Sequence, residues 1–91
     1  MNPEVTQHAR VRSQQRAIPP FLLELLVRFG STEKIVGGTC KVFFDKAARR
    51  RLHSYAGPLA QMLEQHLDLY AVLADDKVVT VGHRLKRIKR H

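Results

Sequence analysis

The chain has 91 residues, enough for one domain built around one modest core. Sixteen Lys and Arg stand against eight Asp and Glu, a formal net charge of +8, while an apolar content of 44% is that of a folding chain rather than a disordered one. The single cysteine, Cys40, excludes an internal disulfide, and one cysteine among scattered histidines excludes a Cys/His zinc set.

No apolar stretch approaches the length of about 20 residues that spans a bilayer. The polar opening sixteen residues offer no apolar signal core, so the expectation is a cytoplasmic protein without a membrane partner. The charge excess predicts a polyanionic partner, RNA above all.

In chain order, Asn2-Pro3-Glu4 predicts a helix start that runs to about residue 15, with thin apolar content in Val5, Ala9 and Val11. Ile18-Pro19-Pro20 breaks it. Residues 21–29 predict a short amphipathic helix, because Leu22, Leu25, Leu26 and Phe29 recur at helical spacing and Gly30 ends the run. Residues 33–36 and 39–44 flank Gly37-Gly38, the pattern of a β-hairpin with a two-residue turn.

Asp45 caps a following helix that Gly57-Pro58 interrupts. The helical run 59–67 carries Leu59, Met62, Leu63 and Leu67 on one predicted face. Residues 69–74 and 77–82 form a second hairpin around Asp75-Asp76. The sum is a single α+β domain over 1–91, with a basic tail at 83–91. Its expected core is a small antiparallel four-stranded sheet of two hairpins, packed by two N-terminal helices and one intervening helical segment.

Four groups of residues carry candidate chemistry. His8, Arg12 and Arg16 lie four apart and share a helix face, where their mutual repulsion is relieved by an anion such as phosphate. Thr80, His83 and Arg84 close the last strand, with His83 on the parity of Val79 and Val81. Lys46 and Arg50 share a face at the start of a helix, where cations oppose the helix dipole unless an anion is near. Finally Lys86, Arg87, Lys89 and Arg90 follow Arg84 with no acid between them, a footprint for phosphate contacts. No paired carboxylates and no Gly-rich phosphate loop are present, so any catalysis would run without a metal or cofactor. Base stacking has thin support, since most Phe residues fall in apolar runs.

His8-Ala9-x-x-Arg12-x-x-x-Arg16-Ala17-Ile18-Pro19, the Leu-rich helix ending in Phe29-Gly30, and Val78-Val79-Thr80-Val81 resemble a family of small bacterial proteins related to the RelE/ParE-like toxins. The likeness covers about residues 5–87. It implies a twisted antiparallel sheet with N-terminal helices packed on it, and metal-independent cleavage of RNA by attack of the ribose 2′-hydroxyl on its own phosphate. On that reading His8 and His83 are base and acid, Arg12, Arg16 and Arg84 stabilise charge, and Thr80 positions a phosphate oxygen. The family's toxins often use Lys, Arg or Tyr near the C-terminus, a role that falls here to His83-Arg84. Two alternatives compete with that reading: a nucleic-acid-binding module without catalysis, in which the same basic residues contact phosphates, and, from the resemblance, a protein-interaction toxin neutralised by an acidic antitoxin.

Overall fold

Thr6 decides where the first helix begins. In the computed structural model, which describes residues 4–84, its hydroxyl accepts from the Ala9 N–H at 3.2 Å and donates to the Val78 carbonyl at 3.0 Å. One side chain thus caps helix α1 (Gln7–Gln15) and ties it to the last strand. The two residues before the cap, Glu4–Val5, form a short strand β1 rather than the first helical turn expected there. Asn2 and Pro3 lie outside the described residues, as do Lys86, Arg87, Lys89 and Arg90.

Helix α2 (Pro20–Phe29) follows and buries Leu22, Leu23, Leu25 and Leu26. Next comes the hairpin of β2 (Ser31–Ile35) and β3 (Thr39–Phe43). Ile35 pairs with Thr39, so the loop has three residues, Val36 to Gly38, not two. Gly37 and Gly38 take φ of +79° and +71°, values that glycine adopts without strain.

Asp45 caps helix α3 (Lys46–Ala56), accepting from the Ala48 N–H at 2.8 Å. Gly57 ends α3, and helix α4 (Pro58–Leu63) leads into a 3-10 turn, Glu64–His66. The break expected at Gly57-Pro58 is present, but the helical run expected over 59–67 stops at Leu63 and gives way to the 3-10 turn, and its buried face differs from the expected one. Ala60 and Leu67 are buried, while Leu59 and Met62, expected on the apolar face, are 62% and 70% exposed. Strands β4 (Leu69–Ala74) and β5 (Lys77–His83) close the chain, joined by Asp75 and Asp76, both at positive φ, as a twist-matched two-residue turn requires.

Among the described residues the sheet has five strands, in the order β1-β5-β4-β3-β2. The four strands of the two hairpins are antiparallel, as expected, and β1 adds a parallel edge to β5 through Glu4–Lys77 and Val5–Val78, so the sheet is mixed. A single core joins Val42, Phe44, Leu69, Ala71, Val78 and Val81 of the strand segments to Ala9, Leu22, Leu26, Ala48, Leu52 and Ala60 of the helices. The helices therefore pack on one face of the sheet, a two-layer α+β arrangement.

One irregularity sets the geometry of β5. Val72 pairs with Thr80 but Leu73 pairs with Val78, so Val79 is an extra residue, a β-bulge. The bulge resets the alternation of side chains. Val78 and Val81, three apart, both point into the core at 1% exposure, and Val79 drops out of the core set.

Candidate functional site

Strand alternation assigns the face away from the helices. Its first row crosses the sheet as Ser31, Phe43, Tyr70 and Gly82, and its second as Glu33, Lys41, Val72 and Thr80. Phe43, Tyr70, Val72, Lys41 and Thr80 are half-buried, and neither Phe43 nor Val72 packs against the core.

Here two aromatic rings interleave with two cations. Phe43 and Tyr70 are direct neighbours across β3 and β4. The Arg84 guanidinium lies 4.7 Å from the centre of the Phe43 ring, and the Lys41 ammonium 5.4 Å from that of Tyr70. Both are within cation–π reach. Gly82 lets the Tyr70 ring lie down on the strand beside it. A Cβ at position 82 would stand 2.8 Å from Tyr70 Cε1 and 2.9 Å from its hydroxyl oxygen. Such a surface offers flat π-faces for planar groups and positive charge for anions beside them.

The expected site residues divide between regions. Thr80 and Arg84 belong to this open face. His83, one residue before Arg84, belongs to the helical side with Val81, as its parity with Val81 implies. Its Nε2 donates to the Arg16 carbonyl at 2.8 Å, so the end of α1 and the end of β5 do meet. The contact is through the Arg16 backbone; the Arg16 side chain is exposed. Ala17, at φ +54°, turns the chain out of the helix at this point. Beside the contact lies a cleft of about 360 Å³, lined in part by Ile18, Phe21, Leu22, Leu63, Gln65, His66, Asp68 and His83.

His8 is at the other end of α1. It accepts a long, 3.5 Å hydrogen bond from Arg12 Nε. Eight residues at 1.5 Å per residue put it about 12 Å along the helix axis from Arg16, so the structure does not bring His8 and His83 to one point. Lys46 and Arg50 are exposed on α3, in the helical layer.

Their neighbours Arg49 and Arg51 hold the fold together. Arg49 reaches Glu64 at 2.6 Å and Asp68 at 2.9 Å, and Arg51 donates to the Phe29 carbonyl at 2.8 Å. His53 completes the cluster, 3.0 Å from the second Glu64 oxygen. Hydrogen bonds from His53 and then Arg49 hold the Glu64 carboxyl below its ordinary range. Asp45 is lowered too, first by the Ser31 hydroxyl at 2.7 Å and then by the Ala48 N–H.

Among the described residues, no group of three His, Cys, Asp or Glu side chains is placed to share a metal ion. No helix there is long and apolar enough to cross a membrane. No family model, curated protein or solved structure matches the chain.

Sequence reasoning missed the paired rings. Phe43 and Phe44 are adjacent and read as one apolar run, yet alternation sends Phe44 into the core and Phe43 out. The signal was available in the strand period, once β3 was aligned with β4.

Proposed function

We propose that the protein binds single-stranded RNA on the open face of its sheet. The observation that carries this reading is the cluster of Phe43 and Tyr70, side by side and each attended by a cation, on a face that no core residue covers among the described residues. Unpaired bases expose π-faces that stack on aromatic rings and on guanidinium planes, while Lys and Arg meet the phosphates between them. The net charge of +8 adds long-range attraction, and Lys86, Arg87, Lys89 and Arg90 follow Arg84 in the sequence as further phosphate ligands.

The test is titration of a labelled single-stranded oligoribonucleotide at fixed salt. Stacking is worth about 1–3 kcal/mol per base, so Phe43→Ala weakens binding by roughly 5- to 150-fold. Equal affinity in that variant would refute the reading. The same RNA tests the cleavage implied by the resemblance. General acid–base cleavage needs two proton-transfer groups around one phosphate, and the separation of His8 from His83 along α1 argues for binding instead. Cutting in the presence of EDTA, abolished in both His8→Ala and His83→Ala, would favour the enzyme. Competition by an acidic protein would mark the interaction reading.

A further inference from the structure

We infer that the cleft at the His83 end of the sheet is a nucleotide site, which takes a base between Phe21 and the α4 side and leaves its phosphate at the rim by Arg16. The inference deepens the RNA-binding reading and rests on it for one source of the nucleotide, a strand leaving the open face past Arg84.

Three features support it. The first is size and lining. The space of about 360 Å³ falls in the range of small-molecule pockets and has apolar surface from Ile18, Leu22 and Leu63. Phe21 forms a wall although 55% of it is exposed, which leaves an aromatic face open to stacking.

The second is a fixed hydrogen-bonding pattern. A carbonyl only accepts, so the Nε2 of His83 that meets the Arg16 oxygen must carry the proton. In the neutral ring this leaves Nδ1 as an acceptor. Such an acceptor, with the amide of Gln65 on the same cleft, suits the exocyclic amino group and ring edge of adenine or cytosine.

The third is charge. Arg16 is exposed and directly precedes Ala17 of the cleft lining, and Arg84 follows His83 directly on the opposite sheet face. One step along β5 therefore leads from the cleft to the stacked rings, and a strand lying on those rings reaches the cleft with its end.

Labelled protein is titrated in separate NMR experiments with AMP, CMP, ribose 5-phosphate and a pentaribonucleotide, reading the methyls of Ile18, Leu22 and Leu63 and the ring of His83. Phe43 and Tyr70 report the open face in the same spectra. Saturable shifts of the cleft signals with AMP or CMP, well beyond those from ribose 5-phosphate, are expected and identify a free nucleotide as sufficient. Cleft shifts with the pentanucleotide alone would identify the end of a strand as the source.

Phe21→Ala is then expected to weaken the ligand that binds by about fivefold or more, while the Phe43 and Tyr70 responses persist. Phe21 is largely exposed, so the variant should fold, and the wild-type spectra stand without it. Cleft signals that stay still with every nucleotide, or that respond equally to ribose 5-phosphate, overturn the proposal. If Phe43 and Tyr70 shift in that case, the cleft inference has failed and the RNA reading stands; if they too are silent, both fail.

Discussion

Gly82→Ala separates the proposed role of Tyr70 in RNA binding from its role in the fold. The added Cβ would stand 2.8 Å from Tyr70 Cε1 and 3.0 Å from Cζ. Carbon atoms settle at about 3.5–4.0 Å, so the ring must retreat by roughly 1 Å. The atoms it meets are the far end of a two-torsion side chain on a face open to solvent, and the ring can swing away. Leaving its rotamer costs about 0.5–1.5 kcal/mol, and losing the Lys41 contact about 0.5–1 kcal/mol. Alanine returns about 0.5–1 kcal/mol over glycine within a strand. The net change in stability is then a loss of about 0–2 kcal/mol, read as a fall of the urea midpoint. On the proposed reading, RNA binding should lose the stacking of the Tyr70 ring, about 1–3 kcal/mol, or roughly 5- to 150-fold in Kd. Anisotropy titration of a labelled single strand at constant salt measures it. A variant as stable as the parent that binds equally well would refute the assignment of Tyr70 to the interface.

Other perturbations probe the fold and the charges. Thr6→Ala removes both the α1 cap and the bond to Val78, and should cost about 1–2 kcal/mol, or roughly 5–15 °C in Tm, while Thr6→Ser stays near the parent. A smaller loss on thermal unfolding would show that the cap is dispensable. Lys41→Ala and Arg84→Ala should each reduce the log–log salt slope of single-strand binding by about 0.7, and an unchanged slope would remove that residue from the phosphate contacts. Glu64 is held below its ordinary value of 4.5 in the folded chain, so its contribution to stability is present above that value and is lost as pH falls through the lower, folded one. Urea midpoints measured between about pH 3 and 6 should therefore fall on the acid side, and less steeply in Glu64→Gln; identical slopes would mean that the His53–Glu64–Arg49 cluster does not couple to folding.

Much of the fold was legible because its signals are local. Leu22, Leu25 and Leu26 mark the buried face of α2 by spacing alone, Asp45 announces α3, and Gly37-Gly38 and Asp75-Asp76 mark both hairpins. What escaped depends on partners distant in sequence. β1 has two residues and no pattern of its own, and exists because Lys77 and Val78 pair with it. Leu59 and Met62 keep helical spacing, yet the turn at Gly57 sets the phase of α4 so that Ala60 is the residue buried. Arg49 stands between Lys46 and Arg50 in a stretch rich in cations, but Glu64 and Asp68, fifteen and nineteen residues on, engage it. The cleft had no signature at all, because the α1–α2 turn, the 3-10 turn and the end of β5 meet only through the topology.

The bulge at Val79 connects the two candidate sites. In an unbroken strand with Val78 in the core, strict alternation would put positions 80, 82 and 84 on the helical side and 81 and 83 on the open side. Arg84 would then face the helices, and His83 would lie on the open face far from the Arg16 carbonyl. Gly82 would be beneath the helices, where Tyr70 could not use it. The single extra residue exchanges these positions while Val78 and Val81 both stay in the core. One irregularity therefore delivers Arg84 to the ring of Phe43, gives Tyr70 its glycine and sends His83 to the end of α1. Deleting Val79 would join Val78 to Thr80 in the register that Leu73 and Val72 already hold, so Gly82, His83 and Arg84 should keep their faces, whereas a substitution at any one of them disturbs only its own contact.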